Sequence, residues 1–228
     1  MANTNEINKN FSPGISHPFY FIRHGLLKVI KKWASSLNGK LLDFGCGSKP
    51  YRSLFNVEEY IGLDFEKTGH DHSNEEIDVF YDGKTIPFAD EYFDSILCSE
   101  VVEHLFDLPA TLSEMNRVLK KGGKLLITCP FAWGEHEVPY DFARYTQFAL
   151  KDILEKKGFR VIHYEKSGNF TEAITQMRIL YLDEWVNRSG FLKGMMIIWM
   201  NILGRFKSWL FPVSYDFYLS NILLAEKQ

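Results

Sequence analysis

Lys40-Leu-Leu-Asp-Phe-Gly-Cys-Gly-Ser-Lys-Pro-Tyr51 reads as a buried strand that runs into a tight glycine turn and then a helix. Leu41 and Leu42 suit a strand covered on both faces, while Gly45 and Gly47 let the backbone bend sharply and approach a ligand closely. Pro50 fits a first helical position, where its missing N–H has no partner to lose. In open α/β sheets this edge, at the carboxyl ends of the strands, is where ligands collect.

A short Gly-x-Gly turn serves several nucleotide-like ligands, so the flanking segments decide. Glu59-Tyr-Ile-Gly-Leu-Asp-Phe65 reads as a second strand ending in Asp64, Ile77–Tyr81 as a third and Phe93-Asp-Ser-Ile-Leu-Cys-Ser-Glu100 as a fourth. Lys124–Cys129, Phe159–Tyr164 and Leu219–Ala225 follow as further strands. Between them the spacing predicts helices. Pro18–Leu37 carries an apolar face and packs on the sheet. Pro109–Lys121 turns Leu112, Met115, Val118 and Leu119 inward and ends on the basic, glycine-capped Lys120-Lys-Gly-Gly123. Thr146–Lys157 opens on a Thr146 cap, packs Phe148, Leu150, Ile153 and Leu154, and stops at Gly158. Alternating strands and helices define an α/β doubly wound sheet.

In this order the motifs resemble the class I S-adenosylmethionine-dependent methyltransferases, type 11-like, from roughly Leu41 to Phe159. The resemblance implies a Rossmann-like, seven-stranded, mostly parallel sheet of order 3-2-1-4-5-7-6 with an antiparallel last strand. It also implies S-adenosyl-L-methionine as cofactor. Asp43, Gly45, Cys46 and Gly47 then lie along its methionine part, and Asp64 accepts from the ribose hydroxyls. Asp82 takes the adenine amino group, and Phe65, Gly83 and Ser99 complete the implied set. Lys49 stands where such turns carry a third glycine; it is either a solvated lysine or a contact to a ligand carboxylate or phosphate.

A methyl acceptor needs a nucleophile held in line and, if it is a hydroxyl, a base. Two segments after the fourth and fifth strands reach the same edge. The first is Ser99-Glu-Val-Val-Glu-His-Leu105, the second Pro130-Phe-Ala-Trp-Gly-Glu-His-Glu-Val-Pro-Tyr-Asp-Phe-Ala-Arg-Tyr-Thr146. His104 is the first candidate base, since imidazole titrates at about 6.5, and His136 the second. Asp141, Arg144 and Tyr145 either shape an acceptor pocket or, for Arg144 paired to Asp141, brace the loop. Glu100, Glu103, His104 and His136 resemble the metal-binding pattern of ubiquinone-pathway and small-RNA 2′-O-methyltransferases. A divalent ion such as Mg²⁺ on these four is the alternative to a metal-free site. His70, Asp71 and His72 read as a solvated loop.

The chain has 228 residues with 46% hydrophobic and 15% aromatic content, enough for a full globular core. A formal charge of -3 gives no footprint for long nucleic acid. Cys46, Cys98 and Cys129 match no zinc spacing, and their odd number points to a reducing cytoplasm. Residues 1–16 are a polar lead-in, and 17–228 form the domain. No stretch reaches the roughly 20 apolar residues of a membrane span.

Within the domain, 169–218 is a helical insertion before the last strand. Its 191–210 segment carries an apolar stripe of Leu192, Met195, Met196, Trp199, Ile202, Leu203, Phe206 and Leu210. Four basic residues and no acidic one lie between Trp185 and Tyr215. This segment is either core, a homodimer contact or a peripheral membrane contact.

The glycine turn and the His136–Thr146 segment also resemble bacterial methyltransferases associated with surface-polysaccharide synthesis. That resemblance implies O-methylation of a small-molecule or glycan-like acceptor. The alternatives are a non-catalytic S-adenosylmethionine-binding protein and a nicotinamide-dependent oxidoreductase, whose longer Gly-x-Gly-x-x-Gly fingerprint is missing here.

Overall fold

A computed structural model describes residues 11–65, 76–185 and 190–228. His70, Asp71 and His72 lie outside the described residues, as do residues 1–10 of the lead-in. The strands are β1 (Lys40–Phe44), β2 (Glu59–Phe65), β3 (Val79–Tyr81), β4 (Phe93–Ser99), β5 (Leu119–Pro130), β6 (Phe159–Ser167) and β7 (Ser220–Lys227). They form one sheet in the order β3-β2-β1-β4-β5-β7-β6. β7 runs antiparallel to both neighbours, and the other pairings are parallel. The expected Rossmann-like α/β architecture and strand order are therefore present.

Both faces of this sheet are covered, which explains the continuous apolar runs. Leu42, Ile96, Leu125 and Leu223 face one side, where helices α2 (Leu108–Val118) and α3 (Gln147–Lys156) supply Leu112, Met115, Leu150 and Leu154. Their sequence neighbours Leu41, Leu97, Leu126 and Ile222 face the other side, against Val29 and Ile30 of α1 (Tyr20–Trp33). The period of two thus splits each strand between two cores. Helices α4 (Phe170–Trp185) and α5 (Gly190–Leu210) occupy the insertion.

Several local expectations change. The turn after β1 is followed not by an α-helix but by a 3-10 turn, Arg52–Leu54, because Phe55 is already extended and buried and β2 begins at Glu59. Too little chain remains for a crossover helix, which takes about a dozen residues. The described part of the crossover thus adds no α-helix to the face that α1 covers.

Helix α2 ends at Val118 rather than on the glycines. Leu119 is extended and starts β5, and Lys120 reaches Asp94 at 2.7 Å. Phe148 does not pack: it is exposed, because Leu150 and Leu154 define the inward face of α3 and Phe148 lies well round the helix from both. Thr146 does cap α3, accepting from the Ala149 N–H.

Candidate active site

The glycine turn is held from beneath by β2. The N–H groups of Gly45 and Cys46 both donate to the Leu63 carbonyl, at 2.8 and 3.1 Å, and Gly47 N–H donates to Asp64 Oδ2 at 2.7 Å. Gly45 is obligatory on two counts. Its φ is +71°, and a Cβ there would meet Val101 Cγ2 at 2.4 Å. Lys49 also adopts a left-handed φ of 51°, which explains why glycine suits this place. Its ammonium pairs with Asp78 at 2.7 Å, and its side chain lies over Gly62, where a Cβ would strike Cε.

A cavity of about 520 Å³ opens beside this turn, within the usual range for small-molecule sites. Asp43, Gly45, Cys46, Gly47 and Ser99 line it, as do Glu100, His136 and Glu137. Asp43 is nearly buried and accepts from the Tyr60 hydroxyl at 2.5 Å. Burial pushes its carboxyl up to about 7, against the pull of that hydrogen bond. Ser99 Oγ shares a hydrogen bond with Thr128 Oγ1 at 2.9 Å.

Asp64, Phe65, Asp82 and Gly83 lie beyond this lining, at the ends of β2 and β3. Asp64 is buried, and its Oδ1 accepts from the Phe65 N–H at 2.7 Å. Asp82 is exposed and closes its own turn, Oδ1 accepting from Lys84 and Thr85, and these backbone bonds hold its carboxyl low. Gly83 meets the Phe65 ring edge, where a Cβ would come within 2.7 Å.

Strands β4 and β5 deliver an acid and two histidines to one place. A 3-10 turn, Val102–His104, follows β4, and its Glu103 carbonyl accepts from Phe142 and Ala143, docking the loop after β5 onto it. The His104 and His136 rings are then 4.7 Å apart. Glu103 Oε1 lies 3.7 Å from His104 Nε2 and 3.9 Å from His136 Nε2. Glu103 is fully buried, and neither carboxylate oxygen has a hydrogen-bond partner. Burial, and then Glu100 beside it, hold its carboxyl well above the ordinary range.

His104 Nδ1 lies 2.9 Å from the Tyr140 carbonyl, so this nitrogen carries the proton and Nε2 keeps a lone pair. Burial lowers the His104 pKa below its ordinary value, which keeps the ring neutral near pH 7. His136 Nδ1 faces two acceptors, the Gly134 carbonyl at 3.2 Å and Asp141 Oδ2 at 3.3 Å, and one donor, Arg144 Nη2 at 3.3 Å. The sequence ranked His104 first. In the structure His136 lines the cavity, and His104 stands behind it.

Asp141 and Arg144 do not line the acceptor cavity; they brace the loop. Both Asp141 oxygens accept from the Arg144 guanidinium, at 2.6 and 2.7 Å, which depresses the Asp141 carboxyl to about 2. Arg144 also donates to the carbonyls of Ala143, Gly134 and Trp133, and its Nη2 lies 3.3 Å from His136 Nδ1. Tyr145 packs against the main core, and its carbonyl takes the Asn221 amide. Glu100, though close enough to act on Glu103, does not join the Glu103, His104 and His136 group, whose ligand atoms all lie within 4.8 Å of one another. Burial pushes the Glu100 carboxyl up to about 7. Glu100 (φ 56°) and Glu137 (φ 50°) both hold left-handed backbone, strain of the kind that collects at sites.

The sequence missed the opposite wall. Phe11, Phe19, Arg23, Tyr51 and Trp133 also line the cavity. Phe11 stacks edge-on to Tyr51 at 5.8 Å, and Arg23 lies over the Phe11 and Phe19 rings. Trp133, in a Gly-bounded loop after β5, carried a readable signal. Phe11, in a polar lead-in given no chemistry, carried none.

Strand order and glycine turn give the core of the chain a Rossmann-like α/β fold with a cavity at the carboxyl edge of its strands. Residues 42–127 match the family model described as a methyltransferase domain, Methyltransf_11. A "Probable S-adenosylmethionine-dependent methyltransferase" of Mycolicibacterium smegmatis is 28% identical over 163 residues, 65% of this chain and 63% of that protein. The chain thus spans less than two thirds of that relative. Among solved structures, the [4+2]-cyclase SpnF superposes with a TM-score of 0.59 at 16% identity, covering 94% of this chain and 85% of that one. Phosphoethanolamine N-methyltransferase 2 of Haemonchus contortus, in complex with S-adenosyl-L-methionine, gives 0.54 at 19% identity, covering 88% and 51%. These likenesses carry the fold; the chemistry has to come from the site.

Proposed function

We propose that the protein is an S-adenosylmethionine-dependent methyltransferase that methylates oxygen in a small-molecule or glycan-like acceptor. The observation that carries this reading is one cavity lined by both the glycine turn and His136, with His104 and the buried Glu103 clustered beside His136. The donor set fits the cofactor. Asp43 and the turn would hold its amino-acid part, and the Asp64 carboxylate, at the end of β2, its ribose hydroxyls. S-adenosylmethionine supplies an activated methyl group, so the protein's work is to orient the acceptor, exclude water and remove a proton.

His136 is suited to that last task. With the proton on Nδ1, held toward Asp141, its Nε2 lone pair would be the basic site, and Asp141 with Arg144 would fix the ring. The aromatic wall of Phe19, Tyr51 and Trp133 narrows the access of water. Three buried thiols and the reading of a reducing compartment support a cytoplasmic location. Calorimetry tests the cofactor directly. S-adenosylmethionine and S-adenosylhomocysteine are expected to bind and NAD to give no heat; the reverse pattern overturns the reading in favour of the oxidoreductase. Turnover against an acceptor library then separates an enzyme from a binding protein.

One observation favours a second reading of the same cluster. A buried carboxyl without a partner, facing two imidazole nitrogens, is a cation's donor set as well as a base's surroundings. Two imidazoles and one carboxylate suit Mn²⁺ or Zn²⁺ better than Mg²⁺. The pH dependence has a definite sign. Glu103 is held protonated, so an ion must displace its proton, and affinity for Mn²⁺ should rise with pH. Calorimetry in two buffers of different ionisation enthalpy should register proton release, about one per ion. No Mn²⁺ or Zn²⁺ heat at any pH leaves the metal-free base.

A further inference from the structure

Helix α5 turns outward the face that its pattern marks as apolar. Ile197, Asn201 and Gly204 are its buried residues, whereas Trp199 is 59% and Phe206 54% exposed, with Met195 and Ile202 exposed on the same face. Of the three alternatives for this stripe, burial in the core is met only at Met196, and polar bonds on the inner face give the reason. The Asn201 amide donates to the carbonyls of Ile15 and His17, at 2.7 and 3.1 Å. Arg205 donates to the Tyr20 hydroxyl, and the Asn169 amide to Ser208 Oγ. Gly204 lets α5 approach α4 so closely that a Cβ would meet Thr175 Cγ2 at 2.5 Å. Together these lock the rotation of the helix about its axis.

Charge identifies what covers the outer face. From Gly190 to Leu210 the helix has three cations and no acid; Lys193 pairs with Asp183 of α4 at 2.9 Å, so the charge rests on Arg205 and Lys207. At 3.6 residues per turn, Arg205 and Lys207 fall on opposite flanks of the stripe centred on Phe206. Beside its C-terminal half lies a cleft of about 710 Å³ between α1, β6 and α5, to which Lys28, Lys32 and Lys166 contribute with Arg205 and the exposed Trp209. The acids of that cleft are committed: Glu165 to Lys32, and Glu172 to the Asn169 N–H. A second copy docked about a two-fold axis would bring these cations toward their own equivalents, with no α5 acid to meet them. No helix among the described residues is long and apolar enough to cross a membrane.

We propose that the outer face of α5 docks on an anionic bilayer surface. The helix lies in the interface plane, Trp199 and Phe206 among the acyl chains, Lys207, Arg205 and the rim of the basic cleft at the lipid phosphates. This docking requires no methyl transfer, so it stands or falls separately from the activity above.

Co-sedimentation of the full chain with vesicles tests it, using phosphatidylcholine alone and with about 30% phosphatidylglycerol. The expected result is binding at least about 10-fold stronger to the anionic vesicles, lost as salt rises from about 0.1 to about 1 M. Trp199→Ser with Phe206→Ser should remove this binding and leave the melting temperature unchanged, because both side chains are largely exposed. Lys207→Glu should weaken it about 5-fold or more with no change in fold. Equal binding to neutral vesicles, or none to anionic ones, overturns the proposal. So does a double variant that converts a dimer to monomers by light scattering, since the face would then belong to a second copy.

Discussion

Alanine at His136 should lower methyl-transfer turnover by about 10²- to 10⁴-fold, the range for loss of a positioned base, while S-adenosylmethionine affinity stays within about 2-fold. His136 lines the cavity, and no second imidazole among the described residues lines it. His104→Ala divides the two chemical readings of the cluster. If His136 acts as a base alone, His104→Ala costs less, because its ring stands behind and acts by positioning. If the cluster holds an ion, both variants lose a ligand and fall together. His104→Asn supplies a control, since an amide can keep the bond that Nδ1–H makes to the Tyr140 carbonyl. Recovery of rate in that variant assigns His104 to the loop's support. Full activity in both alanine variants, measured as S-adenosylhomocysteine release, sinks the base and metal readings at once.

The second large effect is expected at Asp64. Asp64→Ala removes the acceptors assigned to the ribose hydroxyls and should weaken S-adenosylmethionine by about 1–3 kcal/mol, or about 5- to 150-fold in Kd. The same change unpairs the N–H groups of Gly47 and Phe65, so the turn itself loosens. Asp64→Asn is the companion variant. Its one remaining carbonyl oxygen can serve the backbone or the ligand, and a smaller loss than in the alanine variant is expected. Melting curves taken in parallel separate a misplaced turn from a lost ligand contact. Unchanged affinity in a folded Asp64→Ala protein would falsify the assignment.

The cofactor side of the cavity was far more legible in the sequence than the acceptor side. Gly45 and Gly47 mark a local backbone requirement, a left-handed φ, that no distant residue has to supply. Asp43 and Asp64 sit at fixed distances from strand ends, so the sheet period places them once the strands are known. The acceptor side depends on convergence. Whether Arg144 met a ligand or Asp141 was undecidable from spacing, since both readings use the same i, i+3 pair, and only the packed loop shows both guanidinium edges spent on its own backbone and on Asp141. Phe11 gave no signal at all, because its partner Tyr51 lies beyond a helix, a strand and a turn.

By itself the sequence determined the sheet and its two covering layers. Leu41 beside Leu42, Ile96 beside Leu97 and Leu125 beside Leu126 state that both faces of each strand are buried, and α2 and α3 carry their inward faces in their own spacing. Only the tertiary structure decided which face of α5 meets the protein. A hydrophobic stripe establishes that a helix has two sides; it does not say which side its neighbours will take. That choice was made by the Asn201 amide reaching the Ile15 carbonyl, 186 residues away in the chain, and by Gly204 closing on Thr175. Buried polar groups must find partners. On this helix that requirement outweighed burial of the apolar stripe and left Trp199 and Phe206 facing outward.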